Sequence, residues 1–436
     1  MDAAPVSIPA YYRLVRDNAN FRKLWFAQII SEIGDWFFTV AVYSLLYELT
    51  GSAKSIALAF VLGVLPQAVS APMAGVINDR ISRKKVMIFA DVARAAIVIL
   101  MVLVKTRDML PFLYGLILLE TVMWALFEPG RSAVIPNITR NAGETVTANG
   151  LSSTTWAINF FFGSAVGGLA AAVLGRDAVF AINSMSFLVS AMLVRSMTFA
   201  EPHTVNQSPL RLADLFNFRP VLDGIRYVRG NLAIWPVIFL KAGVAVIGSN
   251  WVILPILGER DFPLALGGID AQRAGMLGMS VMLGSRGLGA LIGPLTGGAW
   301  AGKSIPRMRT GVAIGFALIV SGYLLLGQSN VVWMAAASIV IAHAGASMVW
   351  VFSSSMLHFL SDDAYRGRIF STDFMFMTIM LSVSSWIAGL LIDSGRTAQF
   401  AATLTGLAAL VPLLLWSVFV LGRPQPAQTP RTTAAD

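Results

Sequence analysis

Four acidic side chains stand where a long apolar chain would not ordinarily carry them. Gln28, Glu32, Asp35, Thr39 and Tyr43 follow one another at intervals of three or four residues, so a helix would hold all five on one face. Glu120, Trp124 and Glu128 repeat that spacing further along, and His343, Ser347, Trp350, Ser354 and His358 repeat it again. Lys241, Gly248, Trp251 and Pro255 form a looser fourth stripe. A carboxyl group at mid-depth in a bilayer costs ~2.5–3.5 kcal/mol even on the lenient insertion scale, so such faces must look into protein or water. A carboxyl poised between burial, like charges and a nearby Lys241 can take up and release a proton. Trp124, Trp251 and Trp350 can stack an aromatic or cationic molecule, or simply pack. The chemistry on offer is proton exchange and reversible binding, not bond making.

The elements that must position these residues follow from composition. The chain has 436 residues, 56% hydrophobic and only 13% charged, with no cysteine. A soluble protein of this length would carry about twice that charge, and a disulfide scaffold is excluded. A membrane helix uses ~20 apolar residues, and the apolar stretches supply twelve. Their expected limits are about 22–49, 55–78, 86–105, 110–128, 147–174, 178–197, 231–257, 273–301, 309–327, 331–359, 369–392 and 397–421. The fold class is therefore an all-α polytopic membrane protein of twelve transmembrane helices. No cleavable signal is expected ahead of the first span, which Arg13, Arg16, Arg22 and Lys23 precede. The net charge of +9 concentrates in the loops on the side of both termini, so the positive-inside rule predicts cytoplasmic termini. Loop charge of this kind sets orientation, and no nucleic-acid partner is expected.

The long polar connection divides six spans from six. The expected organisation is a cytoplasmic segment 1–21, a six-helix bundle 22–197, a linker 198–230 with an interfacial helix, a second bundle 231–421 and a disordered tail 422–436. The halves echo each other. Ala71-Pro72-Met73-Ala74-Gly75 returns as Gly293-Pro294-Leu295-Thr296-Gly297, and Ile33-Gly34-Asp35-Trp36 as Ile247-Gly248-Ser249-Asn250-Trp251. A duplicated bundle of this kind places its site at the midplane, between two pseudo-symmetric halves.

The segment Gly75-Val76-Ile77-Asn78-Asp79-Arg80-Ile81-Ser82-Arg83-Lys84 matches the loop pattern G-x-L-a-D-r-x-G-r-r at Gly75, Asp79, Arg80, Arg83 and Lys84, with Ile77 and Ser82 departing from it. On these residues the chain resembles the major facilitator superfamily over nearly its whole length. Phe127-Glu128-Pro129-Gly130-Arg131-Ser132-Ala133, followed by Pro136 and Ala148-Asn149, resembles the branch of macrolide-efflux-type drug exporters and bacterial siderophore exporters. The resemblance implies that spans one, four, seven and ten line a central cavity, which are the spans bearing the polar stripes. It also implies that Asp79 docks at the start of span eleven, near Gly367-Arg368-Ile369, latching the halves on the cytoplasmic side. An Asp can oppose the positive end of a helix in this way. Gly289-Ala290-Leu291-Ile292-Gly293-Pro294-Leu295-Thr296-Gly297-Gly298 resembles an antiporter segment that normally belongs to span five; its glycines suit close sliding of the halves or ordinary tight packing.

The expected function is secondary active export of small amphipathic, drug-like compounds across the cytoplasmic membrane by alternating access, with proton antiport; the alternative is export of a siderophore or lipid-like metabolite without proton coupling. Asp35 is the first candidate carrier, with Glu32 or Glu120 second; either Asp35 or Glu32 could instead pair statically with Lys241. The cavity set is Gln28, Glu32, Asp35, Thr39, Tyr43, Glu120, Trp124, Lys241, Trp251, His343, Ser347 and Trp350. The gating set is Gly75, Asp79, Arg80, Arg83, Lys84, Asp91, Arg94, Glu128, Arg131 and Arg368. Asp91 and Arg94 read as a local pair three residues apart, and Arg286 and Asp373 as candidates to bridge the seam. His203, His343 and His358 form no metal motif, and no phosphate-binding Gly-x-x-x-x-Gly-Lys-Ser/Thr occurs, so neither an enzyme nor an ATP-driven pump is expected. The expectation is a monomer in the lipid bilayer, with no cofactor and the proton gradient as energy source.

Overall fold

A computed structural model describes residues 7–204, 226, 234–265, 267, 270–302, 304–361 and 363–421. The interfacial helix expected in the linker and the tail from 422 lie outside the described residues, as do the first six residues. Twelve helices among the described residues are long and apolar enough to cross a membrane. We number them α1 (Ala19–Thr50), α2 (Ala53–Arg80), α3 (Arg83–Leu103), α4 (Arg107–Ile138), α5 (Ala142–Leu174) and α6 (Arg176–Arg195) in the first bundle. The second bundle holds α7 (Trp235–Asp261), α8 (Ala271–Ala301), α9 (Ile305–Leu326), α10 (Val332–Leu360), α11 (Arg368–Asp393) and α12 (Ala398–Val420). A short helix, Ile8–Asp17, leads into α1. We call the face where α1 begins and α12 ends the terminal face, and the opposite one distal.

Local chemistry sets the helix starts. Asn18, Ser82, Asn141, Asp270, Ser304 and Thr397 each accept a hydrogen bond from the backbone N–H three residues on, as N-caps do. Asn18 also donates to the Ile138 carbonyl at 2.7 Å and to Glu144 at 2.9 Å, tying the starts of α1 and α5 to the end of α4. At the distal end of α1, Gly51 takes φ 61°, the left-handed conformation that closes a helix at little steric cost.

Two helices depart from the sequence expectation. The fourth, expected to end at 128, continues to Ile138 through Pro129 and Pro136, with Glu128 paired to Arg131 within it. The seventh is broken: α-helix over Trp235–Val244 gives way to a 3-10 turn over Ala245–Ser249, then a short α-helix and a π-turn over Leu257–Asp261. Irregular backbone at this depth must have its polar groups satisfied by protein. Ser384 donates to the Val246 carbonyl and accepts from the Ser249 N–H at 2.9 Å, and Ser385 donates to the Gly248 carbonyl at 2.7 Å. A Cβ at Gly248 would lie 2.7 Å from the Leu381 carbonyl, so only glycine lets α7 approach α11 this closely.

The bundles meet along α5 and α8. Cβ atoms built at Gly168, Gly284 and Gly287 would strike Ser280, Ala165 and Phe161 at 2.3, 3.2 and 2.6 Å, all across the seam. Gly289, Gly293 and Gly297, the antiporter-like glycines, instead press α8 against α10 within the second bundle. Their contacts are packing inside one half, and the close approach across the seam is made by Gly168, Gly284 and Gly287. Distally the halves are pinned by Ser44 donating to Glu259 at 3.0 Å, by Gln272 donating to Glu48, and by Asp393 accepting from Ser52 at 2.5 Å and from the Ala53 N–H at 2.7 Å.

Candidate functional site

Between the bundles lies a cavity of about 550 Å³. It runs from Tyr43, Phe60 and Trp251 at its distal end to Gln28, Glu128 and Arg131 toward the terminal face. The α1 stripe Gln28, Glu32, Asp35, Thr39 and Tyr43 lines it in full, and Glu120 and Trp124 line it from α4. Trp350 of α10 and Phe374 of α11 complete the wall, so most of the lining comes from the first bundle.

The carboxylates are held in two ways. Arg94, buried with 2% exposure, donates to both oxygens of Asp35 at 2.9 and 3.0 Å and to Oε1 of Glu120 at 2.7 Å through Nη2 and 2.9 Å through Nε. Its guanidinium sits 4.0 Å from the centroid of the Phe187 ring, closing its far side. One cation thus serves two acids, leaving one negative charge in excess when both are ionised. Glu32 is different: it accepts from Gln28 at 2.9 Å and from Asn159 at 2.8 Å, and both donors are neutral amides. Near the terminal end, Arg131 pairs with Glu128 and donates to Gln28 Oε1 at 3.1 Å, a chain linking the mouth to Glu32 through Gln28.

Several sequence-derived pairings are corrected. Asp91 does not hydrogen-bond Arg94; it accepts from Ser190 of α6 at 2.6 Å, because it points away from the cavity while Arg94 points in. Arg94 therefore belongs to the cavity lining rather than to a structural pair. Lys241 does not meet Asp35 or Glu32. It donates to Asp373 of α11 at 2.6 Å, deep in the second bundle, under the rings of Trp350 at 5.1 Å and Phe370 at 5.2 Å. Asp373 is accordingly no bridge across the seam. Lys241, His343 and Ser347 are not among the described residues lining the cavity. His343 is buried 3.4 Å from the Tyr323 hydroxyl, and Ser347 donates to its own helix and faces Gly293. The α10 stripe twists out of view because its upper turns pack on the glycines of α8, leaving Trp350 exposed to the space.

On the terminal-face loop, no hydrogen bond or ion pair joins Asp79 to α11 among the described residues. The Asp79 side chain is 75% exposed, with Arg83 at 3.7 Å as an ion-pair partner on its own segment. Arg83 donates to the Ala133 carbonyl at 2.8 Å, and Lys84 to the Met197 carbonyl at 2.6 Å, tying the loop to α4 and the end of α6. Gly75 faces open space. Arg80 and Arg368 lie on the segments the latch would join, both half-buried.

Sequence reasoning missed Trp36, Phe60 and Trp156 as lining residues; Arg286, read as a candidate to bridge the seam, does lie there, 4.8 Å from the ring centroid of Phe160 in the first bundle. Trp36 and Trp251 occupy corresponding places in the internal repeat, and their rings stack at 6.3 Å and 7° across the seam, with Phe60 stacked on Trp251 at 4.9 Å. The signal was present in the repeat itself, which ends both motifs in tryptophan.

Comparison with known proteins agrees with this geometry. A family model described as transmembrane secretion effector matches residues 15–432. Macrolide efflux protein A of Streptococcus pyogenes is 26% identical over 383 residues, covering 86% of this chain and 89% of that protein. An uncharacterized MFS-type transporter of Bacillus subtilis, YfiS, is 26% identical over 341 residues, covering 72% and 77%. Among solved structures, nucleoside transporter NupG superimposes with TM-score 0.71 at 12% identity over 92% of this chain and 98% of that one, a likeness of fold alone. A POT family transporter superimposes with TM-score 0.72 at 14% identity over 92% and 96%.

Proposed function

This chain belongs to the transmembrane secretion effector family of the major facilitator superfamily, a multi-pass membrane transporter and not an enzyme, and from that premise we propose that it exports small amphipathic organic compounds across the cytoplasmic membrane in exchange for protons. The observation that carries the reading is the cavity: about 550 Å³, walled by tryptophan and phenylalanine, and furnished with four carboxylates against two arginines. That volume suits a drug-sized molecule, and aromatic walls bind apolar bodies without demanding one shape. The name of the macrolide efflux relatives supports the direction of transport and the substrate class.

With the termini in the cytoplasm, the distal bonds seal the outer side, and the exposed Asp79 carboxylate fits the inward-facing form of an alternating-access cycle. The transporter acts as a monomer in the bilayer and draws on the proton gradient rather than on a bound cofactor.

Glu32 becomes the first candidate carrier, ahead of Asp35. A carboxylate clamped by a guanidinium keeps its charge, whereas one held only by amides in a half-buried wall is more easily neutralised. An incoming proton at Glu32 removes the charge that holds a cationic or polar substrate group, and movement of that charge across the membrane couples the gradient to export.

The test is accumulation of a panel of dyes and drugs in cells with and without the protein, repeated with a protonophore. Expression should lower accumulation of at least one amphipathic compound, and the protonophore should restore it. Glu32→Gln should abolish the gradient-driven component while Asp35→Asn retains part of it. Undiminished protonophore-sensitive export by Glu32→Gln would remove Glu32 from the carrier role.

A further inference from the structure

Arg286 of α8 differs from the other deeply placed cations. Arg94, Arg131 and Lys241 each have a carboxylate partner. Among the described residues Arg286 has none, and the titratable groups near it are Tyr43, Tyr323 and His343. Its Nη1 is buried without a hydrogen bond. What it has is rings: the guanidinium lies 3.8 Å from the centroid of Trp251 and 4.8 Å from that of Phe160.

These rings belong to opposite bundles. Phe160 is on α5 of the first bundle, Trp251 on α7 of the second, and Trp251 in turn stacks against Trp36 and Phe60 of the first. Arg286 and Trp251 thus interleave with Trp36, Phe60 and Phe160 at the distal end of the cavity. Arg286 and Trp251 travel together on the second bundle, so distal opening of the seam parts them from Phe160, Trp36 and Phe60 and admits more water to an arginine that is only half-buried.

The charge and the rings then act in opposite directions. Closing the seam strips water from a cation that receives no counter-ion, which opposes closure. The ring faces attract the cation and return part of that cost. We infer that Arg286 is a built-in electrostatic spring of the distal gate: its uncompensated charge favours distal opening, and the Trp251–Phe160 sandwich holds it shut. The gate is thereby kept near balance, so that a modest differential affinity of substrate or proton for the two forms can turn it. A simple latch, in which Arg286 only bridges the halves, makes the opposite forecast for a neutral side chain.

The inference rests on the alternating-access part of the proposed function and on neither its substrate nor its proton coupling. The natural chain has no cysteine, so one reporter can be introduced cleanly. Val42 lines the cavity on its distal side and is buried, at 3% exposure. The full chain carrying Val42→Cys is placed in oriented vesicles, and a membrane-impermeant maleimide is applied to the distal face. The labelling rate reports how often the distal seam opens. Arg286→Met and Arg286→Gln, read together so that misfolding of one leaves the other, should slow labelling on the order of tenfold. Arg286→Lys keeps the charge and should stay within about threefold of the parent. Trp251→Ala removes a ring and should speed labelling. Labelling of folded Met or Gln variants at the parent rate or faster overturns the spring. Absence of distal labelling in every variant and in the parent overturns the alternating-access reading instead, a result distinct from the first.

Discussion

The ion pair between Lys241 and Asp373 yields the sharpest forecast, because its two ends are not equally provided for. Both residues are buried, at 5% and 1% exposure, and Nζ meets Oδ2 at 2.6 Å. Breaking such a pair by removing one partner costs about 3–5 kcal/mol, since the other charge is left buried. Removing the cation by Lys241→Met strands Asp373, whose Oδ1 already lacks a hydrogen bond. That variant should show the full loss of about 3–5 kcal/mol. Removing the anion by Asp373→Asn leaves Lys241 beneath the rings of Trp350 and Phe370 and facing an amide oxygen. A desolvated cation–π contact is worth about 2 kcal/mol, so the loss should fall to roughly 1–3 kcal/mol. The double replacement Lys241→Met with Asp373→Leu should lie near the parent, because an apolar pair of similar volume removes both desolvation costs. Unfolding in detergent, followed by tryptophan fluorescence, measures the series. The double variant should also transport, since neither residue lines the cavity. A Lys241→Met protein as stable as the parent, or a stable double variant without transport, would refute the assignment of this pair to the scaffold.

Two further outcomes follow from the same geometry. Arg94→Met leaves Asp35 and Glu120 without their shared cation and should destabilise by about 3–5 kcal/mol, whereas Asp35→Asn or Glu120→Gln alone leaves a one-to-one pair and should cost less than about 1 kcal/mol in the same unfolding assay. A Cβ at Gly293 would lie 2.1 Å from the Ala344 carbonyl, so Gly293→Ala should cost about 1–3 kcal/mol by overpacking, while Gly75→Ala, which meets open space, should be near neutral; expression and thermal stability of the two proteins compare them directly.

How much of this was legible in the sequence depends on the range of the interaction. The twelve spans follow from local apolarity, and the α1 stripe needs only helical periodicity, so both could be read directly. The pairing of charges could not. Asp91 and Arg94 lie three apart on one helix and suggest a pair, but rotation about the helix axis sends one toward α6 and the other toward α1 and α4. Lys241 looked like the counter-charge of the cavity acids because nothing local links it to Asp373, 132 residues on. The α10 stripe had the right period and the wrong surroundings: period fixes which residues share a face, and the neighbouring helix decides whether that face is wet. Here the glycines of α8 bring α10 close enough to dry its distal half. The break in α7 was hidden for a related reason, since the serines that satisfy its backbone are on α11.

The placement of charge divides labour between the halves. In the first bundle Glu32, Asp35, Glu120 and Glu128 line the space with two arginines between them, so the ionisable groups of the wall lie on this side. In the second bundle Lys241 and Asp373 neutralise each other away from the cavity, and Trp251, Trp350 and Phe374 offer rings to it. On the proposed function, exchange of protons would concentrate in one half, and the other would supply a largely apolar wall that moves against it. Arg286 is the exception, and as the spring inferred for the distal gate it is the part that lets the arrangement work as a machine: it is a charge of the second bundle lodged where the two walls meet, with no carboxylate partner among the described residues. An acid buried in its place would compete for the protons that the proposed function assigns to the opposite wall. A neutral residue would let the stacked tryptophans close without opposition. A guanidinium at the seam does neither, because the Phe160 ring of the opposite bundle attracts it only while the seam is shut and water receives it more fully when the seam parts.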